Sequence, residues 1–189
     1  MVRVQTFVLS IRVHLLAVLL AVGPALACAA EASTAVVAPP EEPGVRIVVE
    51  GVVLGESDRP LAGVRIRVYQ TDAGGAYTRE RPMDEPNARL SATLETDRDG
   101  RFTLHTIRPG GYPTPVAVEG EMRRIPAHIH LDVRAPGYPE RRLQAVFDDD
   151  PLVAEAYWAG WVERLGHPVL TLRPVGGVPT AEVTLRLAR

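Results

Sequence analysis

The chain has 189 residues, of which 46% are hydrophobic and 23% are charged, and its formal net charge is −2. This length and composition suit one globular domain, and we expect no second one. The charge balance leaves no basic surface of the kind that binds nucleic acid, so we expect no nucleic-acid partner.

The first 28 residues predict an export signal. Arg3 and Arg12 precede an apolar stretch, residues 13–22, and small residues follow it as far as Cys28. The stretch is shorter than the ~20 residues of a transmembrane helix. Cys28 follows an Ala-Leu-Ala run that resembles a lipoprotein processing site. Two outcomes stay open: a lipid on Cys28 that tethers the protein to a membrane, or cleavage nearby that releases a soluble form. Both predict a periplasmic or extracellular protein.

Residues 29–44 are small, acidic and rich in proline. This composition is typical of a flexible linker between an export signal and a folded domain. We therefore predict that the folded domain spans residues 45–189.

Short apolar or alternating segments follow, separated by turn-forming residues, which is the pattern of β-strands. Asp99-Gly100 indicates a hairpin turn. The fold class predicted is all-β, a β-sandwich with one short helix and long loops. Eight strands are expected, at roughly residues 45–54, 63–70, 90–95, 101–105, 127–135, 141–147, 168–173 and 180–188.

The one predicted helix covers residues 151–164. Trp158 and Trp161 lie three residues apart on it and are expected to pack against the sandwich, with the wall of a substrate pocket as the alternative. The acidic run at residues 148–150 is expected to be a solvated loop, and His167 a structural residue.

His128 and His130 are candidate metal ligands. Residues 126–133 have the pattern of an extended strand, on which residues two apart project from the same face. Two neutral imidazoles side by side suit a transition metal, although they do not specify which one.

Tyr77 and Tyr112 are the second pair of candidates, because each lies just after two glycines that permit a tight turn. Tyr112 follows its glycine pair directly, and Ala76 separates Tyr77 from the other pair. A tyrosinate is a hard, anionic oxygen donor, so two phenolates with two imidazoles favour ferric iron over zinc or copper. The metal would have to lower a phenol pKa that is ordinarily about 10. The alternative is that both tyrosines keep their hydroxyl groups in water at the surface of turns.

Seven short segments between residues 45 and 151 occur in the order found in a known family. The chain resembles the intradiol ring-cleavage dioxygenases, the group of catechol and protocatechuate dioxygenases. The three most specific segments are residues 106–113, 126–130 and 144–147. The weaker ones are residues 51–53, 60–64, 73–77 and 96–102.

The resemblance implies a role for each candidate ligand. Tyr77 and His130 would be equatorial ligands of Fe(III), with Tyr112 and His128 axial. Tyr112 would also be catalytic, because its counterpart leaves the metal and takes a proton when the substrate binds. The implied reaction cleaves the ring of a small aromatic diol with O₂ to give a muconate-type dicarboxylate, with no organic cofactor. Which catechol is cleaved stays open.

The chain departs from the family pattern at Ile125, where the resemblance implies an arginine that stabilises charge on the substrate. Arg124 is adjacent and is the candidate for that role, although on a regular strand it would face the opposite way unless a bulge shifts it. Gln144 is the candidate for a supporting hydrogen bond to the substrate.

Two other interpretations remain at this stage. The chain could be an exported metal-binding homologue without turnover, or a non-enzymatic sandwich module of the transthyretin-like or carboxypeptidase-regulatory-like type. The module does not require the two tyrosines and two histidines to converge. We expect a monomer, because the helical segment through which many cytoplasmic catechol dioxygenases dimerise is not found before residue 45.

Overall fold

The computed structural model of the protein describes residues 33–114, 117, 120 and 122–189. The predicted export signal, residues 1–28 with Cys28, and the first four residues of the predicted linker lie outside the described residues. Among the residues described, no helix is long and apolar enough to cross a membrane.

The described part of the chain forms twelve strands and one α-helix. The strands are Ser33–Val36 (β1), Arg46–Leu54 (β2), Arg65–Gln70 (β3), Leu90–Glu95 (β4), Arg101–Ile107 (β5), Tyr112–Pro113 (β6), Arg124–Ile125 (β7), His128–Arg134 (β8), Arg141–Phe147 (β9), Val169–Leu170 (β10), Arg173–Val175 (β11) and Val178–Arg186 (β12), and the helix is Ala156–Leu165 (α1).

Ten of these strands form two five-stranded sheets. The first sheet has the order β1-β5-β2-β12-β11 and the second β10-β9-β8-β3-β4, while β6 and β7 form a separate two-stranded hairpin. Most neighbours are antiparallel, but β1 with β5, β2 with β12 and β9 with β10 are parallel. The prediction of an all-β sandwich with one short helix is confirmed.

The main core lies between the two sheets and follows from the alternation of side chains along each strand. In β8, Ile129, Leu131 and Val133 are almost fully buried in that core, and each such side chain contributes about 1.5–3 kcal/mol through the hydrophobic effect. His128 and His130 alternate with them and therefore project from the outer face of the second sheet. The same alternation that builds the core thus presents the two imidazoles on the opposite side.

The prediction of a flexible linker is wrong for residues 33–44. β1 pairs in parallel with β5, and the following Val37 and Ala38 are buried in the main core. The Arg46 side chain then donates hydrogen bonds to the carbonyl oxygens of Ala38 and Glu42, at 2.9 Å each. The acidic, proline-rich composition was misleading because the free edge of β5 supplies backbone partners, which an isolated linker lacks.

The helical segment is divided in two. Pro151–Ala154 form a 3₁₀-helix, and Glu155, with extended backbone angles, separates it from α1. The side chain of Asp150 accepts a hydrogen bond from the backbone N–H of Leu152 and so caps the 3₁₀-helix. Gly166 ends α1 in the left-handed conformation, which glycine adopts without strain.

Candidate metal centre

The four predicted ligands come from three different parts of the fold. His128 and His130 lie on the outer face of β8, Tyr77 lies in the long connection from β3 to β4, and Tyr112 begins β6. All four are buried, with exposures of 3%, 5%, 1% and 7% respectively. The outer face of the second sheet is therefore covered at this point, and the tyrosine hydroxyl groups are not in water.

These four side chains converge on one point. The Tyr77 Oη atom lies 2.9 Å from Tyr112 Oη and 2.8 Å from His130 Nε2, and the Nε2 atoms of His128 and His130 are 3.0 Å apart. Two phenol oxygens and two imidazole nitrogens thus meet within hydrogen-bond distance. The hard oxygen donors and borderline nitrogen donors of this set fit a ferric ion.

Asp72 organises the turn that carries Tyr77. Its side-chain Oδ1 accepts hydrogen bonds from the backbone N–H groups of Gly74 and Ala76, at 2.9 and 3.0 Å. Its backbone carbonyl accepts from the N–H of Gly110, at 2.8 Å, so the same residue also joins the glycine turn that precedes Tyr112. The two tyrosines are placed relative to each other by this shared residue.

The two turns approach so closely that only glycine fits. A β-carbon on Gly75, which has a φ of +87°, would lie 2.5 Å from the Gly111 carbonyl oxygen. A β-carbon on Gly110 would lie 2.5 Å from the Ala73 carbonyl oxygen. Both distances are below any ordinary contact, so these glycines are required for the backbone-to-backbone packing that brings Tyr77 and Tyr112 together.

Local hydrogen bonds fix the tautomer and position of His128. Its Nδ1 lies 2.7 Å from the Pro126 carbonyl oxygen, which can only accept, so Nδ1 carries the proton and Nε2 presents its lone pair to the centre. Asp150 accepts a hydrogen bond from the N–H of Ala127 at 2.9 Å and holds the segment before the strand. Asp150 is thus a structural residue, whereas the sequence placed it in a solvated loop.

Burial shifts the pKa of each of the four side chains in the direction that favours its neutral form. It lowers the pKa of His128 to about 4 and also lowers the pKa of His130. Burial also raises the pKa of Tyr77 and the pKa of Tyr112, and the neighbouring Tyr112 contributes to the rise at Tyr77. The imidazoles are therefore ready to donate lone pairs, while the phenols require a cation before they lose their protons.

Two further residues, Tyr69 and Glu85, support His130 and were not identified from the sequence. The Tyr69 ring is stacked on the His130 ring, with centroids 4.2 Å apart and planes 7° apart. Glu85 accepts a hydrogen bond from the Tyr69 hydroxyl at 2.9 Å, and its carboxylate lies 4.0 Å from His130 Nδ1. Tyr69 is the cross-strand partner of His130 between β3 and β8, so correct strand pairing would have revealed it.

A cavity of about 330 Å³ opens beside the four side chains. It is lined by Tyr77, Met83, Glu85, Tyr112, Ile125, His130, Gln144, Trp158 and Trp161. A larger groove, about 850 Å³, lies on the first sheet but has no histidine or tyrosine among its described lining residues. The smaller cavity is therefore the candidate substrate pocket.

Gln144 lines this cavity, as its predicted role requires. It is the β9 partner of His130 across the second sheet, and its backbone N–H donates to His167 Nδ1 at 3.1 Å. Trp158 and Trp161 also line the cavity, so they do more than pack against the sandwich. Of the two interpretations of these tryptophans, the pocket wall is the one that the structure favours.

The structure does not place Arg124, a predicted catalytic residue, in the cavity. Arg124 is exposed, does not line the cavity, and donates a hydrogen bond to the Gly111 carbonyl oxygen at 2.8 Å. β7 pairs with β6 in regular register, Tyr112 with Ile125 and Pro113 with Arg124, so no bulge turns Arg124 inward. Ile125 faces the cavity in its place, as the alternation of side chains requires.

Comparison with known proteins gives consistent results. A protein-family model described as "Dioxygenase" matches residues 22–180. Catechol 1,2-dioxygenase 2 from Acinetobacter lwoffii is 30% identical over 118 residues, which are 58% of this chain and 42% of that protein. The chain spans less than half of the length of the curated relatives that it matches.

Solved structures extend the similarity to the fold. 3-Chlorocatechol 1,2-dioxygenase from Rhodococcus opacus has a TM-score of 0.67 at 25% identity, over 80% of this chain and 63% of that one. The dioxygenase domain of a dioxygenase–carbohydrate-binding fusion from Streptomyces sp. SirexAA-E has a TM-score of 0.57 at 29% identity. That alignment covers 82% of this chain and 85% of the solved domain.

Proposed function

Because the chain belongs to the intradiol ring-cleavage dioxygenase family, we propose that it is a non-haem Fe(III)-dependent enzyme that cleaves the ring of a catechol-type diol with O₂. Both oxygen atoms would enter the product, a muconate-type dicarboxylate. Tyr77, Tyr112, His128 and His130 would hold the iron. No organic cofactor is needed for this reaction.

The convergence of those four side chains is the observation that carries the proposal. Their oxygen and nitrogen atoms lie 2.8–3.0 Å apart in a buried cluster, although the residues come from separate parts of the chain. A bare sandwich module gives no reason for two tyrosines and two histidines to meet. Burial makes it costly to ionise the phenols, and a cation bound between them would offset that cost.

The histidines are organised to donate nitrogen lone pairs. The His128 Nδ1 proton is held by the Pro126 carbonyl oxygen, which leaves Nε2 for the metal. Stacking on Tyr69 fixes the ring plane of His130, and a Glu85 carboxylate oxygen lies 4.0 Å from its Nδ1. Such outer partners orient metal ligands and strengthen binding.

Tyr112 is suited to accept a proton from the substrate. Burial raises the pKa of Tyr112, so a phenolate released into this cavity has a strong tendency to take up a proton at Oη. Tyr112 also lines the cavity, where a diol would be bound. A proton from one substrate hydroxyl group would therefore pass to Tyr112 Oη as the diol binds.

The remaining cavity residues bind substrate and exclude water. Gln144 offers an amide that can donate to and accept from a substrate oxygen, while Ile125, Trp158 and Trp161 provide an apolar wall. The chemistry that ferric iron supplies when bound is Lewis acidity, which favours the doubly deprotonated diol and makes its ring reactive toward O₂. The bond that breaks lies between the two oxygenated carbons.

A visible absorption spectrum tests the proposal. Tyrosinate bound to Fe(III) absorbs in the visible region, so iron-loaded protein is expected to be coloured, and catechol is expected to shift the band under anaerobic conditions. Admission of air is expected to give oxygen uptake and a muconate product in equal amounts. A protein that retains no iron would overturn the proposed centre and favour the sandwich module.

A second candidate function is iron binding without turnover. One observation favours it: among the residues described, no arginine lines the cavity, and Ile125 occupies the position where the family places one. Colour and a catechol-dependent shift of the band, without oxygen uptake, would support this candidate over the dioxygenase.

We further propose that the protein is exported through residues 1–28, to the periplasm or the cell exterior. The charge and apolar pattern of that segment supports this proposal. Cell fractionation of the full chain and of Cys28→Ser separates the two forms: membrane association that is lost in the variant indicates a lipid anchor. Release of both proteins as soluble material indicates ordinary cleavage, and retention of both in the cytoplasm would contradict export.

A further inference from the structure

The lining of the cavity has an unusual balance of charge and apolar surface. Its outer part is formed by Met83, Ile125, Trp158 and Trp161, all of them apolar or aromatic. Among the lining residues that the structure describes, Glu85 is the one carboxylate and His130 the one basic side chain, and the Glu85 side chain is 45% exposed. Among the described lining residues, a ligand in this cavity therefore meets one carboxylate and no arginine.

The cationic groups nearby are engaged elsewhere. Arg67 lies over the outer side of the Tyr69 ring, 4.3 Å from its centroid, and its guanidinium is 3.4 Å from the Asp132 carboxylate. Arg142 is 3.5 Å from the Glu140 carboxylate. Neither belongs to the lining of the candidate substrate pocket. Both line a separate cavity of about 210 Å³, to which Glu85 and Tyr69 also contribute. An anionic substituent on a bound ring that lies near Glu85 would thus meet its carboxylate with no cationic side chain among the described lining residues to offset the repulsion.

The tryptophans of the wall are held by contacts with other rings. Trp158 and Trp161 are in edge-to-face contact with ring centroids 5.5 Å apart, and Trp161 also contacts the His167 ring at 4.2 Å. Trp158 is 5% exposed, while Tyr157 packs against its outer side at 4.9 Å. Fixed aromatic surfaces of this kind bind a second flat, apolar group well, because little side-chain freedom is lost.

We propose that the substrate is a catechol with an uncharged, apolar or aromatic substituent, which rests on Trp158 and Trp161, and that Glu85 excludes catechols that carry a carboxylate. This inference rests on the proposed function and names the substrate class of the same site. At about 330 Å³ the cavity is within the range of pockets for ligands larger than a single ring.

The two tryptophans also supply a test that does not depend on catalysis. They are the only tryptophans in the chain, and both line the cavity, so intrinsic tryptophan fluorescence reports on occupancy of this site alone. Titrations are carried out without oxygen, on iron-loaded and on iron-free protein. Binding can then be compared between ligands even where no turnover occurs.

The charge part of the proposal is tested with two ligands of nearly equal shape, 3,4-dihydroxybenzamide and 3,4-dihydroxybenzoate. The neutral amide is expected to bind at least about tenfold more tightly, since unlike the carboxylate it does not repel Glu85. Glu85→Gln keeps the acceptor for the Tyr69 hydroxyl and is expected to reduce the difference to within about threefold. Glu80→Gln, an exposed position in the same connection, removes an equal charge outside the cavity and should leave the preference unchanged. Equal affinities for the two ligands in the unsubstituted protein would overturn the role of Glu85.

The apolar part is tested with catechol and 4-phenylcatechol. The second ring is expected to tighten binding by about tenfold or more through burial against the tryptophans. Trp161→Leu keeps Trp158 as the fluorescent reporter and is expected to remove most of that gain. If the phenyl group does not tighten binding, or if it tightens binding equally in Trp161→Leu, the proposal that the substituent rests on the tryptophans is overturned. Both tests measure binding, so their outcome is separate from that of the proposed function. The predicted preferences can be absent from a protein that consumes oxygen with catechol, and they can be present in a protein that has no turnover.

Discussion

Gly75 lies directly against the carbonyl oxygen of Gly111, so closely that a β-carbon on Gly75 would be 2.5 Å from it. This contact joins the turn before Tyr77 to the turn before Tyr112. The geometry of the proposed iron centre therefore depends on two residues that have no side chain and take no part in its chemistry.

Replacing Gly75 with alanine is expected to lower the free energy of unfolding by more than about 2 kcal/mol, because a positive φ and a backbone clash add to each other. Iron content should fall with it, since the tyrosines would move apart. Gly137→Ala is the matched control: Gly137 also has a positive φ, +80°, but open space around it, so a loss of only about 1 kcal/mol is expected with normal iron content. Urea unfolding and metal analysis measure both effects. Equal behaviour of the two variants would contradict the role of the contact.

Tyr77→Phe removes one phenol oxygen from the centre while keeping the ring. Loss of a residue that supports a ligand typically lowers metal affinity by about 10–100-fold. Loss of a direct ligand is expected to lower the affinity for iron by more than that. Tyr69→Phe is the control, because Tyr69 stacks on His130 but its hydroxyl group is bonded to Glu85. That variant should retain iron and the visible band. Iron titration followed by absorbance distinguishes them, and normal iron binding by Tyr77→Phe would remove this residue from the ligand set.

Ile125→Arg places a cation on the face of β7 that lines the cavity. If the enzyme works as proposed, stabilisation of charge on the substrate is expected to raise kcat/KM by at least about tenfold. Arg124→Ala should change kcat/KM by no more than about twofold, because Arg124 faces away and bonds the Gly111 carbonyl oxygen. Oxygen uptake with catechol measures both. If kcat/KM fell more in Arg124→Ala than it rose in Ile125→Arg, Arg124 and not Ile125 would be the β7 residue that faces the substrate.

The buried Glu42 carboxylate makes an ion pair with the partly exposed guanidinium of Arg89, and this pair predicts a pH dependence of stability. The Arg89 guanidinium lowers the pKa of Glu42 below its usual value of 4.5, so the folded protein holds fewer protons than the unfolded chain when the pH falls below that value. The stabilisation is therefore complete above about pH 4.5 and is lost as the pH falls through the lowered pKa.

Glu42→Gln should accordingly cost about 1–3 kcal/mol of unfolding free energy at pH 7 and progressively less as the pH falls below 4. Glu41→Gln, a neighbouring exposed position, should cost almost nothing at any pH. Urea unfolding at several pH values is the measurement. A difference between wild type and Glu42→Gln that grows in acid would contradict the sign of the pKa shift.

Much of this fold could be predicted from local sequence patterns. Strands such as Arg46–Leu54 and Arg141–Phe147 were predicted nearly to the residue, because their apolar alternation is regular and turn residues bound them. Ser33–Val36 could not be recognised, since its strand conformation comes from pairing with β5 and not from its own composition. The hairpin of β6 and β7 was also missed, because each strand has only two residues.

Only part of the candidate site could be predicted from local sequence patterns. His128 and His130 share a face by strand periodicity, but the meeting of Tyr77 with Tyr112 depends on the packing of two glycine turns, which the residues imply only through a family resemblance. Arg124 was assigned a catalytic role, although the register of β7 does not place it in the cavity. Glu85 was not identified because it begins a three-residue 3₁₀-helix, Glu85–Asn87, which is too short to show periodicity, and it reaches His130 only through the tertiary fold.

The main core and the cluster around Tyr69, Tyr77 and Tyr112 share no buried residue. Substitutions that remove the chemistry therefore need not weaken the sandwich, and substitutions that remodel the sandwich need not disturb the chemistry. This separation allows substrate choice and folding stability to be changed by different substitutions. Ile125, which packs on the tyrosine cluster and not on the main core, is a position where a substitution changes the pocket lining without removing a contact of the main core.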